Sequence, residues 1–114
     1  MSQDNDTITY VRITADGEAA EVTIKDASDD SKHLDQMQQA VGGYIEPILV
    51  GSKGATMMCN EDGRSLRLAP NNRASLLAKT FIVGDVLITG PATEDSNSTP
   101  FTLDDLDRIE NGLA

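Results

Sequence analysis

The chain has 114 residues, a formal net charge of −10, one cysteine, two Phe, two Tyr and no Trp. That length bounds it to one small domain with a modest core, built here from Leu, Ile, Val, Met and Ala. The acidity argues against a nonspecific nucleic-acid binder, which needs many Lys and Arg on phosphates, and against docking on anionic membranes.

In chain order, residues 1–6 are polar and acidic, unlike a secretory signal, and are expected to be disordered. Residues 7–13 and 21–25 alternate and are rich in β-branched side chains, with Asp16-Gly17 as a turn signal between them, so they predict a hairpin. Asp30 or Ser31 is the expected cap of a helix whose apolar face carries Leu34, Met37, Ala40 and Val41, with Gly42-Gly43 as its stop. Residues 44–50 predict a strand, and Pro47, which has no N–H, places it at a sheet edge or a bulge. Residues 55–59 predict a short buried strand. The turn Asn60-Glu61-Asp62-Gly63, with Gly63 at positive φ, is expected to fold it into a hairpin with residues 64–68.

Asn71 or Asn72 then caps a short helix reaching Lys79. Residues 80–83 lead to Gly84-Asp85, where the glycine marks a bulge or close backbone contact, and residues 86–89 follow as a strand. A polar linker spans 92–101. Thr102-Leu103-Asp104-Asp105 is a capping-box variant opening a last helix with Leu103, Leu106 and Ile109 on one face, which Gly112 stops. The pattern is a small single α+β domain, with a core over 7–91 and a C-terminal helix over 102–114. Its sheet is mostly antiparallel, with two or three short helices. No run approaches the ~18 apolar residues of a membrane span, and the lone Cys59 fits a reducing cytosol.

Charge is unevenly spread. Residues 1–35 hold nine acids and three bases (−6), residues 36–92 four and five (+1), and residues 93–114 six and one (−5). Acidity of this kind reads as solubility, as adaptation to high salt, or as mimicry of DNA. The less acidic middle holds the candidate ligand-binding residues Tyr44, Glu46, Asn60, Arg64, Asn71, Asn72 and Arg73. Two amides can read the edge of a base, and Arg73 can grip a phosphate or carboxylate through its fork, with free helix N–H groups beside it. Tyr44 and Glu46 share one strand face; should that face meet the Asn71 loop, the ring could stack on a base. Arg64 and Arg67 would lie on opposite faces of their strand. The bland alternatives are a turn at Asn60, an Asn helix cap and a solvated Arg73. His33 is expected to be a surface residue and Cys59 a buried inert thiol. No metal spacing, nucleophile elbow or phosphate loop is present, so no cofactor or catalytic residue is assigned.

The segments 37–46, 60–63, 68–74 and 83–86, taken together in this order, resemble the family DUF3846, a domain of unknown function. The chain departs from that pattern at Asn72, where a basic residue is common, and at Ala69, where a second proline is common. The resemblance implies a viral or mobile-element origin and supplies no activity.

Three functions follow as expectations. The leading one is a non-enzymatic binding protein in a host cytoplasm that sequesters a small nucleotide-derived signal and so counters host defence, with a homo-oligomer expected. The second is an acidic module, resembling a DNA mimic, that occupies a host DNA-binding enzyme. The third is a small nucleotide-processing enzyme that uses Glu46.

Overall fold

The computed structural model describes residues 6–93 and 99–113. The start of the acidic tail and the centre of the polar linker lie outside the described residues. Asp6 is tied down: its carboxylate accepts from Ser28 N and Oγ at 2.9 and 2.8 Å.

Eight elements follow in order: β1 Thr7–Ile13, β2 Ala19–Lys25, α1 Asp30–Val41, β3 Ile45–Val50, β4 Ala55–Asn60, α2 Asn72–Ala78, β5 Val86–Thr89 and α3 Leu103–Glu110. The five strands form one sheet in the order β2-β1-β5-β4-β3, and each neighbouring pair is antiparallel. The α+β class with three helices is thus the observed one.

Strand alternation divides the core in two. Tyr10, Ile24 and Leu87 point to the face covered by α1, where Val41, Met37 and Ala40 meet them. Val11, Ile13, Met57, Cys59, Val86 and Ile88 point to the opposite face, under Ala74 of α2 and Leu106 of α3. β5 is buried along its whole length, because it is the central strand, between β1 and β4.

Pro47 predicts the edge correctly, and the register explains it. Glu61 N donates to Tyr44 O at 2.8 Å, so every second residue from Tyr44 turns its backbone groups toward β4, and Pro47 faces outward. Its missing N–H therefore costs the ladder nothing and interrupts the free edge as a pairing template.

Helix caps follow the sequence with small shifts. The α1 cap is Asp29 rather than Asp30 or Ser31; it is the last extended residue, and its carboxylate accepts from Ser31 N and Lys32 N. Gly42, in the left-handed region, closes that helix. Asn71 caps α2, and Thr102 with Asp105 forms a full capping box on α3. That last helix ends at Asn111, with Gly112 following at positive φ.

The hairpin expected between 55–59 and 64–68 does not form. β4 pairs with β3 on one side and β5 on the other, so no free edge remains for a third partner. Residues 61–67 instead fold into consecutive turns, with Leu66 N donating to Asp62 O and Leu68 N to Gly63 O. Arg64 and Arg67 therefore share no strand. The left-handed residue of this segment is Arg67, at φ 57°, and not Gly63. Gly63 is required for space, since a Cβ there would stand 2.8 Å from Val83 Cγ2.

His33 is half-buried rather than a free surface side chain. Its ring stacks on Tyr10 with centroids 5.7 Å apart, and its Nδ1 and Nε2 lie 3.0 Å from Ala27 O and 2.8 Å from Tyr10 Oη. A carbonyl can only accept, so Nδ1 carries a proton in this arrangement.

Candidate functional site

The candidate residues separate into a structural group and a cleft group. Asn71 belongs to the first. It is 0% exposed, and its side chain meets three backbone groups: Oδ1 accepts from Ala74 N at 3.0 Å, while Nδ2 donates to Ile13 O at 3.1 Å and Gly84 O at 2.9 Å. No solute can reach it, so the expected base-reading amide is instead a pin joining β1, α2 and the approach to β5. The same carboxamide closes the N-terminus of α2, so the expected cluster of free helix N–H groups is not offered to an anion. Asn72 is the exposed first residue of that helix.

Arg73 is likewise engaged within the fold. Nε and Nη2 donate to the two oxygens of Glu110 at 2.7 and 2.8 Å, and Nη1 donates to Gly17 O at 3.0 Å. This bidentate fork ties α2 to α3 and to the β1–β2 turn. The hydrogen bond from Arg73 holds the Glu110 carboxyl below its ordinary range, against a weaker opposing effect of burial. A depressed carboxyl pKa gives stability that is present above the ordinary carboxylate range and lost as pH falls through the folded value. Both side chains are about a third exposed, at 35% and 28%, so screening limits the effect to about 1 kcal/mol or less. In urea melts, wild type is expected to exceed Glu110→Gln at pH 7, with the gap closing on acidification. A gap independent of pH would contradict this.

Asn60 also has a structural task. Nδ2 donates to Val41 O at 3.2 Å, holding the C-terminus of α1, and Oδ1 accepts from Asp62 N at 2.8 Å. Tyr44 lies just before β3 and is 67% exposed.

Two clefts open on the α2/α3 side. The larger, about 560 Å³, runs between Leu49, Leu76, Leu77 and Ile109, with Arg73 and Glu110 on its wall. Ser52 and Lys79 also line it, and its one guanidinium and one carboxylate are satisfied by each other. The smaller, about 310 Å³, is lined by Glu46, Asn60 and Arg64 together with Ile48, Cys59, Phe81 and Ile82. Here Glu46 and Arg64 retain capacity, while the Asn60 side chain is spent on Val41 O and Asp62 N. The Glu46 carboxylate has no hydrogen-bond or ion-pair partner among the described residues. Arg64 lies with its guanidinium carbon 5.7 Å from the Phe81 ring centre and makes only one long contact, Nη2 to Phe81 O at 3.5 Å. This places the smaller cleft ahead as the candidate site, despite its size.

Cys59 sits on the floor, opposite Glu46 in the β3–β4 register. Burial pushes its thiol up to about 11, and the charge of Glu46 adds to the rise. It is therefore a thiol at neutral pH and a poor nucleophile. No group of three or more His, Cys, Asp or Glu side chains suited to a metal occurs among the described residues. No helix among them is long and apolar enough to cross a membrane.

Phe81 is the site residue that sequence reasoning missed. It lies on the approach to a strand and is 55% exposed. In a chain with four aromatic residues, one following the polar Lys79-Thr80 pair was the available signal.

The family motifs have a shared structural meaning. A Cβ at Gly84 (φ 78°) would stand 2.7 Å from Leu68 Cδ1, and Gly84 O accepts from Asn71. Asp85 accepts from Arg12 Nη2 at 2.6 Å and Ala15 N at 2.9 Å. Asn60, Gly63, Leu68, Asn71, Gly84 and Asp85 thus hold the turns against the sheet.

Residues 8–114 match the family model described as Domain of unknown function (DUF3846). No curated protein matches the chain in sequence. Among solved structures, the fold is similar to a part of the crystal structure of small RNA methyltransferase HEN1, with a TM-score of 0.72 and 15% identity. The alignment covers 95% of this chain and 16% of that one, and at this identity the likeness is one of fold.

Proposed function

The chain belongs to the DUF3846 family, and from that premise we propose a non-enzymatic binding protein that holds one small nucleotide-derived ligand in the Glu46–Arg64–Phe81 cleft. The observation that carries this reading is the meeting of Glu46 and Arg64 in one cleft with an exposed aromatic ring. A volume of about 310 Å³ is at the small end for ligand sites, which suits a single nucleotide better than a dinucleotide. Phe81 offers a face for stacking, Ile48 and Ile82 an apolar floor, Glu46 an acceptor, and Arg64 a fork for one phosphate.

The setting we propose is the cytoplasm of a cell hosting a virus or mobile element, where sequestration of such a ligand would blunt a defence signal. Calorimetry against mononucleotides, cyclic dinucleotides and NAD-derived compounds tests this. At least one should bind, and Phe81→Ala should weaken it by about tenfold, as a lost stacking contact of about 1–3 kcal/mol implies. Silence across the whole panel would sink the proposal.

A further inference from the structure

We propose that this cleft selects guanine over other bases, an inference that rests on the binding reading above. The selecting group is Glu46. It stands on the side of β3 that faces the cleft, is exposed, and its carboxylate has no hydrogen-bond or ion-pair partner among the described residues. A carboxylate is acceptor-only and presents two oxygens side by side. Guanine shows two parallel donors on its Watson–Crick edge, N1–H and the exocyclic amino group, and a carboxylate fork accepts both. Hypoxanthine keeps N1–H and lacks the amino group. Adenine offers one amino donor beside a ring nitrogen whose lone pair would face the second carboxylate oxygen. The expected order is therefore guanine, then hypoxanthine, then adenine.

Phe81 and Arg64 line the same cleft and take a flat ring between them after a small shift. Arg64 rests 5.7 Å from the Phe81 centroid. A ring sandwiched between the two needs roughly 7 Å, two contacts of about 3.5 Å each. Arg64 must therefore withdraw by a little over an ångström. That displacement is cheap, since its only polar tie to the fold is the long contact to Phe81 O. The rest of the cleft agrees. Glu61 lies at the same rim and adds negative charge, so ligands rich in phosphate are disfavoured, and Arg64 is the single cation that lines it. A guanine nucleotide with one phosphate engages Glu46, Phe81 and Arg64.

The test is calorimetry with GMP, IMP and AMP on wild type, Glu46→Gln and Phe81→Ala. Glu46 is exposed, so its replacement should leave the fold intact, which circular dichroism checks. GMP should bind wild type at least about tenfold more tightly than AMP, with IMP between them, because a hydrogen bond to a charged group contributes about 1.5–3 kcal/mol. A glutamine amide presents one donor and one acceptor, which complements adenine, so Glu46→Gln should level or invert the preference; a merely structural Glu46 would not do this. Equal binding of GMP and AMP by wild type, lost in both cases in Phe81→Ala, overturns guanine selection and leaves the ring-binding cleft standing. Selectivity unchanged in Glu46→Gln overturns the role given to this residue. Failure of all three nucleotides to bind wild type overturns the inference and, if the wider panel is also silent, the proposed function with it.

Discussion

Asn71→Ala is expected to destabilise the domain by about 3–7 kcal/mol, from the loss of a helix cap at about 1 kcal/mol and two buried carbonyl partners at about 1–3 kcal/mol each. Asn71 has no exposure, and its carboxamide meets Ala74 N, Ile13 O and Gly84 O, which belong to three separate parts of the fold. Alanine leaves all three groups buried and without the amide's hydrogen bonds. A domain of this size is stable by about 5–15 kcal/mol, so the variant sits near the threshold of folding. Urea denaturation should show a large drop in midpoint. Asn71→Ser keeps an oxygen for the cap but no amide donors, so it should recover only the cap contribution. Asn71→Asp turns a carboxylate toward two carbonyls, which raises its folded pKa. It should be worst at neutral pH and recover as pH falls and the acid form regains a donor. A loss below about 1 kcal/mol for Asn71→Ala would mean that the pin is dispensable.

That result would also locate what the family pattern records. Asn71 reads equally well in the sequence as a base-reading amide and as a helix cap. The side chain is the same in both cases, and only burial decides. Its distant partner, Ile13, is 58 positions away, which no local pattern reveals. Arg73 reads as an anion fork for a similar reason, since the carboxylate it grips, Glu110, comes from the last helix.

Periodic elements were readable because their signals are local. The alternation of 7–13, the apolar stripe of α1, the Thr102–Asp105 box and the edge-marking Pro47 each carry their physics within a few residues. The alternation of 64–68 misled because it meets the same local test. Whether an alternating run finds a partner depends on which sheet edges are free, and β5, from later in the chain, had taken the place beside β4. The cleft was half visible. Glu46, Asn60 and Arg64 were singled out for their chemistry, but Phe81, which supplies the ring, comes from a turn whose position depends on Gly63 and Gly84 packing against Val83 and Leu68.

Leu106→Ala is expected to lower stability by about 3 kcal/mol, the usual cost of truncating a buried leucine and leaving a cavity. Leu106 is the buried side chain of α3 and joins Val11, Ile88 and Phe101 in one cluster. The helix follows a polar linker and could have been a loosely tethered appendage. Its attachments argue otherwise. Phe101 N donates to Thr9 O at 2.9 Å and Leu103 N to the Glu21 carboxylate at 3.0 Å. The Arg73–Glu110 fork fastens its far end. With ties to β1, β2 and α2 and a side chain in the main cluster, α3 should unfold together with the sheet. The midpoint in urea should therefore fall while the slope m stays constant, because the same surface is exposed on unfolding. Amides of α3 and β5 should lose hydrogen-exchange protection by similar amounts. A reduced m, with protection lost only over 103–110, would instead show that the helix peels from a sheet that remains folded. The truncation would then weaken α3 docking, with the sheet and the Glu46–Arg64–Phe81 cleft unaffected.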